Sequence, residues 1–101
     1  MAWQKLCPLE EIPRLGARVV EHADGPMAVF RTADDQVFAL ADACPHKGGP
    51  LSQGIVHGRQ VACPLHGWNI ALDSGTACAP DEGCARRYAA RIEQGLVWLD
   101  C

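Results

Sequence analysis

The sequence predicts a single all-β domain built from antiparallel sheets, and three observations support this prediction. The chain has 101 residues, which leaves enough apolar surface for one core and too little for two. Hydrophobic residues make up 49% of the chain, so a compact fold is expected and disorder is not. Short apolar runs alternate with Gly, Pro, Asp and Asn, which is the pattern of strands joined by turns.

The apolar runs assign the strands in chain order. The predicted strands are 3–7, 17–21, 27–31, 37–41, 55–56, 60–62, 69–72, 86–92 and 96–99. Pro8 to Pro13 holds at most one helical turn, because Pro13 cannot continue a helix. Turns are expected between the runs, with Asp24-Gly25 at the tip of the first hairpin. The other predicted turns are 34–35, 57–59, 73–75 and 93–95.

The middle of the chain differs in character from its two ends. From Cys44 to Gly75, Gly and Pro are dense and the apolar runs are short. Both ends are therefore expected to form a β scaffold around an inserted, loop-rich subdomain at approximately residues 43–80. A rigid frame commonly presents a functional site in this way.

Charge and hydropathy exclude several classes of partner. The formal net charge of −3 and the pI near 5.7 disfavour nucleic acid, which needs a basic face. No apolar run approaches the roughly 18–20 residues that span a bilayer, so no membrane partner is expected. The first residues lack the pattern of a signal peptide. We therefore expect a cytoplasmic protein.

Two short motifs in the middle segment offer metal ligands. Cys44-Pro45-His46 and Cys63-Pro64-Leu65-His66 each provide one thiolate and one imidazole, and the hairpin between them can bring both loops face to face. Four such ligands can hold a structural zinc ion. They can also hold a [2Fe–2S] cluster, with two thiolates on one iron and two imidazoles on the other. The short Cys-x-His spacing favours the cluster, and a zinc-stabilised interaction module is the alternative.

Residues beside the motifs also suit a cluster. Lys47-Gly48-Gly49-Pro50 and Gly67 let the backbone approach sulfur without interference from a Cβ atom, and leave N–H groups free to donate to it. Such donors stabilise the negative charge on sulfur and raise the reduction potential. Pro45 and Pro64 restrict φ beside the ligands and stiffen both loops.

The two motifs resemble the cluster-binding boxes of Rieske proteins. The resemblance rests on Cys44-Pro45-His46-Lys47-Gly48-Gly49-Pro50-Leu51 and on Cys63-Pro64-Leu65-His66-Gly67-Trp68. It covers essentially the whole chain, so residues 1–101 are expected to form one Rieske domain with small antiparallel sheets. The resemblance also implies a loop containing Pro80 that covers the cluster.

The respiratory class of Rieske protein does not fit. Members of that class typically carry one more cysteine in each box, joined as a disulfide, where this chain has Gly49 and Leu65. They also carry hydroxyl donors to sulfur, where this chain has Trp68 and Ile70. The resemblance therefore implies a potential toward the lower part of the roughly −150 to +300 mV range of Rieske centres.

Two classes that lack these features fit the chain. Ferredoxins of ring-hydroxylating dioxygenases often have Trp between the Pro and His of the second box, and Phe in the next strand. This chain has Leu65 and then Trp68-Asn69-Ile70, which resembles the small subunit of assimilatory NAD(P)H-dependent nitrite reductase. Residues 81–88 and 91–99 resemble the C-terminal end of that subunit. We therefore favour the nitrite reductase subunit, with the dioxygenase ferredoxin as the alternative.

Each resemblance implies a redox partner. The nitrite reductase subunit implies a large subunit with flavin, a [4Fe–4S] cluster and sirohaem, and the ferredoxin implies an oxygenase and its reductase. The sequence has no Ser-His-Asp arrangement and no nucleotide-binding loop, so electron transfer without a catalytic site of its own is expected. The residues expected to form a docking tip for the partner are His46, Lys47, Leu65, His66 and Trp68.

The other cysteines and the remaining histidines have simpler interpretations. Four cysteines outside the boxes are expected to be free thiols, because cytosolic thiols stay reduced: Cys7, Cys78, Cys84 and Cys101. Of these, Cys84 recurs in the resembled family and is expected to pack beside the cluster. His22 and His57 should be solvated in turns. The strand aromatics should be core or near-core: Trp3, Phe30, Phe38 and Trp98.

Overall fold

Strands and short turns make up the regular structure of the chain. The computed structural model describes residues 3–21, 25–43, 50–64, 67–77 and 83–100. The strands are β1 (Trp3–Pro8), β2 (Gly16–Val20), β3 (Met27–Arg31), β4 (Val37–Ala41), β5 (Ile55–His57), β6 (Gln60–Ala62), β7 (Asn69–Ala71), β8 (Arg87–Glu93) and β9 (Leu96–Asp100). Leu9–Glu11 and Leu51–Gln53 form single 3-10 turns. The prediction of an all-β fold is confirmed, and no helix in the described ranges is long and apolar enough to span a membrane.

The larger sheet is built from both ends of the chain. It has six antiparallel strands in the order β1-β9-β8-β4-β3-β2. Strand β8 joins its two parts, because Arg87 and Tyr88 pair with β4 while the residues from Ala89 to Glu93 pair with β9. Residues 42–86 leave this sheet after β4 and return to it at β8. The predicted scaffold around an inserted segment is therefore present.

The inserted segment contains a second, smaller sheet. Its antiparallel strands follow the order β5-β6-β7. The β5–β6 hairpin pairs His57 with Gln60, so its loop is only Gly58-Arg59. The closing hairpin of the larger sheet is equally tight, since Glu93 pairs with Leu96. Its loop residues Gln94 and Gly95 have φ values of 54° and 75°, which is the backbone of a type I′ turn.

Strand β3 separates two hydrophobic clusters. Successive side chains of a strand point to opposite faces, so its residues divide between the clusters. Ala28 and Phe30 face the smaller sheet, while Met27 and Val29 face β8 and β9. All four are buried, as expected for a strand covered on both faces. The cluster that contains Phe30 also contains Cys63, one of the predicted metal ligands.

The edge strand β1 departs from the sequence prediction in one respect. Trp3 is not in the core, and 37% of its surface is exposed. It lies opposite Asp100 on the outer face of the sheet, whereas Val97 and Leu99 face the core. The guanidinium of Arg91 stacks on the Trp3 ring, 4.2 Å from its centroid. Cys7 is buried and unpaired as predicted, and residues 22–24 of the first predicted turn lie outside the described ranges.

Candidate metal centre

The candidate site is flanked by three pairs of segments that lie on the fold. Residues 44–49, 65–66 and 78–82, which these pairs flank, lie outside the described residues, and we call each flanking pair a loop base. The residues that begin and end each loop are described, and hydrogen bonds close each pair of ends. The loop bases therefore define how the sequence places the predicted ligands.

A side chain closes the first loop base. Asp42 follows β4, and Ser52 lies in the 3-10 turn that precedes β5. The main-chain N–H of Ser52 donates to Asp42 Oδ1 at 2.7 Å, and the Ser52 hydroxyl donates to Asp42 Oδ2 at 2.8 Å. Leu51, beside this contact, is fully buried and belongs to the cluster that contains Phe30.

Main-chain hydrogen bonds close the second loop base, between β6 and β7. The N–H of Cys63 donates to the carbonyl of Trp68 at 2.7 Å, and the N–H of Gly67 donates to the carbonyl of Cys63 at 3.0 Å. Gly67 has φ of +71°, which favours glycine. The expectation that the Gly67 N–H is free for a sulfur is therefore wrong. Its contribution is the left-handed backbone that lets the chain turn back to Cys63.

The Cys63 side chain points into the hydrophobic core. It is 3% exposed and packs within the same cluster as Phe30, Val61 and Ile70. Among the described residues it has no disulfide partner. The side chain of Cys63 is thus turned inward at the base that joins β6 to β7.

The third loop base brings residues 75–77 against residues 83–85. The N–H of Ala77 donates to the carbonyl of Gly83 at 2.8 Å, and the N–H of Ala85 donates to the carbonyl of Gly75 at 2.7 Å. Cys84 pairs with Thr76 through a β-bridge, but its side chain is exposed. The bridge turns Cys84 outward and its neighbour Ala85 inward, and the packing of Cys84 beside the cluster stays a prediction.

The three bases lie beside one another. Gly54, which follows the first loop, passes so close to β6 that a Cβ atom there would collide with the carbonyl oxygen of Ala62. A β-bridge joins Ile70 of β7 to Ala77 at the third base. The three loop bases therefore lie together beside the smaller sheet.

The comparison with family models identifies the domain. The model of the Rieske [2Fe–2S] domain matches residues 2–89. The chain belongs to this family. The domain therefore takes a [2Fe–2S] cluster and transfers electrons, as the motifs predicted.

Relatives of this Rieske domain include oxygenases and small electron carriers. The oxygenase subunit of a Pseudomonas vanillate O-demethylase is 35% identical, with 72% of this chain matching 24% of that protein. The ferredoxin subunit of a Burkholderia cepacia anthranilate 1,2-dioxygenase is also 35% identical, covering 94% of this chain and 88% of its own. The chain spans only about a quarter of the length of the first curated relatives that it matches.

A solved structure extends the likeness to a third kind of protein. A Mycobacterium tuberculosis protein assigned as the small subunit of an NADH-dependent nitrite reductase superposes with a TM-score of 0.85 and 27% identity. The superposition covers 97% of this Rieske domain and 93% of that chain. The fold and its inserted subdomain are thus shared along nearly the full length of both.

The described part of the Rieske domain fits the cluster as far as it extends. Cys63 is the one predicted ligand within the described ranges, and no group of three potential ligands occurs among the described residues. Its buried thiol suits the inner iron, which two thiolates coordinate. The predicted ligands and neighbouring residues that lie outside the described ranges are Cys44, His46, Lys47, Gly48, Gly49, Leu65, His66 and Pro80.

Trp68 differs from its predicted setting in an exposed loop. It is half-buried and packs against the hydrophobic cluster that contains Cys63. Its position one residue before β7, a strand whose Ile70 is fully buried, pulls the indole toward the core. Trp68 therefore packs the second box against the core, while part of its side chain stays exposed at the protein surface.

Sequence reasoning missed the contact between Asp42 and Ser52. A signal was present, since Asp side chains often accept main-chain N–H groups of nearby loops. The ten positions between the two residues hid it, because such contacts are usually sought two or three residues apart. His57 is exposed as predicted, and its Nε2 also lies 2.8 Å from Oδ1 of Asn69.

Proposed function

We propose that Cys44, His46, Cys63 and His66 hold the [2Fe–2S] cluster, and that the chain is the small, electron-transferring subunit of an NAD(P)H-dependent nitrite reductase. The second box carries this proposal, because Leu65 and Trp68-Asn69-Ile70 resemble that subunit. The near-complete superposition on the mycobacterial small subunit supports it. Nitrite would then be reduced on the large subunit. The resemblance implies that this large subunit carries flavin, a [4Fe–4S] cluster and sirohaem.

The setting of Cys63 supports a direction for electron transfer. Its thiol is buried toward the core, so the cysteine-ligated iron would lie on the protein side of the centre. The histidine-ligated iron would then lie toward the surface, with the imidazoles of His46 and His66 as the shortest route to a partner. In this proposal, Lys47, Leu65 and Trp68 complete the docking tip, the subdomain spans approximately residues 43–80, and the protein is cytoplasmic.

A dioxygenase ferredoxin is the second candidate function. The anthranilate dioxygenase ferredoxin subunit is 35% identical over most of both chains, which favours a carrier of comparable size. In that case the partners would be an oxygenase and its reductase. The cluster and its ligands would be the same, so the two candidates differ only in the partner that receives the electron.

The ligand set is tested by comparing two buried cysteines. Cys63→Ser should lose the cluster, whereas Cys7→Ser should retain it, because Cys7 lies in the other hydrophobic cluster. Iron and sulfide content, the visible spectrum and the EPR signal of the reduced protein are the measurements. A colourless wild-type protein holding one zinc ion would support the interaction module instead.

The partner is tested by mixing the reduced protein with each candidate acceptor. Stopped-flow absorbance should show rapid oxidation of the cluster by a sirohaem nitrite reductase large subunit, and slow oxidation by a ring-hydroxylating oxygenase. The reverse order would reject the nitrite reductase assignment in favour of the ferredoxin. Both outcomes leave the ligand set untouched.

A further inference from the structure

The contact between Asp42 and Ser52 has a feature that the other loop bases lack. Both carboxylate oxygens are used, one by the Ser52 main chain and one by its hydroxyl. The two residues are ten positions apart and stand on either side of the first ligand box. We refer to this pair of hydrogen bonds as the Asp42–Ser52 clamp.

Each side of the clamp is anchored on a rigid part of the fold. The Asp42 N–H donates to the carbonyl of Pro26 at 3.0 Å, next to β3. On the other side, the N–H of Gly54 donates to the carbonyl of Leu51 at 2.9 Å, and Leu51 is fully buried. The clamp therefore fixes the separation between two supports that are themselves held in place.

The hydrogen bonds described at the other two bases come from the main chain. The second base uses the N–H groups of Cys63 and Gly67, and the third uses those of Ala77 and Ala85. Main-chain bonds persist when a side chain is replaced. At the first base, by contrast, both hydrogen bonds that join the described ends depend on the carboxylate of one residue, Asp42.

We propose that Asp42 is a positioning residue that holds the two ends of the first box together, and thereby helps Cys44 and His46 to hold the cluster. This inference rests on the proposed ligand set. The physical reason is that a loop with free ends has many conformations, and only a few bring two ligands to one centre at bonding distance. Closing the ends with two bonds to a carboxylate removes most of these conformations before the cluster binds. Asp42 thereby slows loss of the cluster without touching it.

Three substitutions separate the hydrogen bonds from the charge of the clamp. Asp42→Ala removes both bonds. Asp42→Asn keeps them, since its carbonyl can accept from the Ser52 N–H and its amide can donate to the Ser52 hydroxyl. Ser52→Ala removes only the bond from the hydroxyl. Asp35→Ala is the matched control, because Asp35 is also a surface carboxylate with arginine partners, but lies at the β3–β4 turn.

The experiment measures how fast the loaded proteins lose their cluster to an iron chelator, followed by visible absorbance. Asp42→Ala should lose it on the order of a hundredfold faster than wild type, as expected for two lost hydrogen bonds to a charged group. Ser52→Ala should be about tenfold faster, and Asp42→Asn should lose the cluster much more slowly than Asp42→Ala. The EPR signal of reduced Asp42→Ala should broaden, reflecting a less uniform ligand geometry. Asp35→Ala should lower the melting temperature while cluster loss stays at the wild-type rate.

The outcomes distinguish the clamp from the ligand set. A wild-type protein that holds no [2Fe–2S] cluster would reject the ligand set, and the clamp with it. A loaded wild type whose Asp42→Ala variant loses cluster at the same rate would reject the clamp alone. Failure of Asp42→Asn to restore retention would also reject it, because the hydrogen bonds would then not be the cause. If Asp42→Ala never loads while Asp42→Asn does, the clamp is supported.

Discussion

Gly54 shows how a single residue links the first ligand box to the second. Its φ of −80° suits any residue, so the need for glycine comes from space. A Cβ atom would collide with the carbonyl of Ala62, the residue before Cys63, and would lie 3.0 Å from Cγ2 of Val61. Because both neighbours belong to β6, relief of the collision must displace the strand that leads directly into Cys63.

Gly54→Ala should therefore destabilise the apoprotein by about 1–3 kcal/mol and reduce cluster loading. Urea unfolding and iron content are the measurements. Gly58→Ala is the control at the far end of the same hairpin, where a Cβ atom meets open space but φ is +56°. It should cost about 1–2 kcal/mol through backbone strain alone and leave loading unchanged. Normal stability and loading in Gly54→Ala would contradict the collision.

Asp35 gives the fold a pH dependence at the turn between β3 and β4. Hydrogen bonds from Arg31, with a smaller contribution from Arg14, hold the pKa of Asp35 below its ordinary value. A carboxyl whose pKa is lower in the folded state stabilises the fold above its unfolded pKa, near 3.9. This stabilisation is lost as the pH falls from about 4 through the folded pKa.

Asp35→Asn should therefore lower the free energy of unfolding at pH 7, and the difference from wild type should shrink as the pH falls below about 4. Asn tolerates the φ of +63° at this position, so the comparison isolates the charge. Arg14→Gln should keep most of the wild-type pH dependence, because Arg31 is the larger cause. The measurement is urea unfolding at a series of pH values from about 2.5 to about 7. This interval brackets the ordinary carboxyl pKa of about 3.9. A constant difference across the range would reject this origin.

At the scale of elements, local sequence patterns located most strands, but their partners depend on distant residues. β3 and β4 begin and end where the apolar runs do, because each run is bounded by turn residues. The change of partner along β8 has no local signal, since Tyr88 pairs across the chain with Ala39 and Ala89 pairs with Asp100.

The environment of single side chains was the weaker part of the prediction. Trp3 and Trp68 were each assigned the wrong degree of exposure, because the chain beside a strand can turn either face to the core. The ligand boxes themselves were recognisable, since their chemistry depends on residue type and spacing within a few positions. Asp42 escaped notice because its partner is brought to it only by the fold.

The proposed docking role of Trp68 can be tested by mutation, but the test must separate docking from the packing of this side chain. Trp68 is half-buried against the cluster around Cys63, so removing its ring affects stability as well as surface shape. Trp68→Ala should slow electron transfer to the partner severalfold, on the order expected for a lost aromatic contact in an interface. The spectrum of the cluster should be unchanged, because the bond at Trp68 that closes this loop belongs to its main chain.

Trp68→Phe is the control for packing, since it retains an aromatic ring against the core. It should keep most of the stability lost in Trp68→Ala, as judged by thermal unfolding. Stopped-flow oxidation by the partner then reports docking separately from stability. Transfer by Trp68→Ala at the wild-type rate would remove Trp68 from the docking tip.

At the scale of the whole molecule, the two sheets differ in their means of support. The larger sheet has six strands, each of five residues or more, and β3 is covered on both faces. The smaller sheet has three strands of three residues each, which is too short for independent stability. It depends on the hydrophobic cluster that it shares with Phe30 and Leu40, and we expect it to need a second support.

Under the proposed ligand set, the [2Fe–2S] cluster is that second support, because it joins the first box to the second. Removing it with acid and chelator should therefore loosen the molecule unevenly. Amide hydrogen exchange at neutral pH should speed up in β5, β6 and β7, while β3 and β4 keep the protection of the loaded protein, since local opening follows the lost contacts. Asp42→Ala, once loaded, should match loaded wild type in β3 and β4. Equal loss of protection in both sheets would mean that the molecule opens as one cooperative unit, with the cluster stabilising all of it.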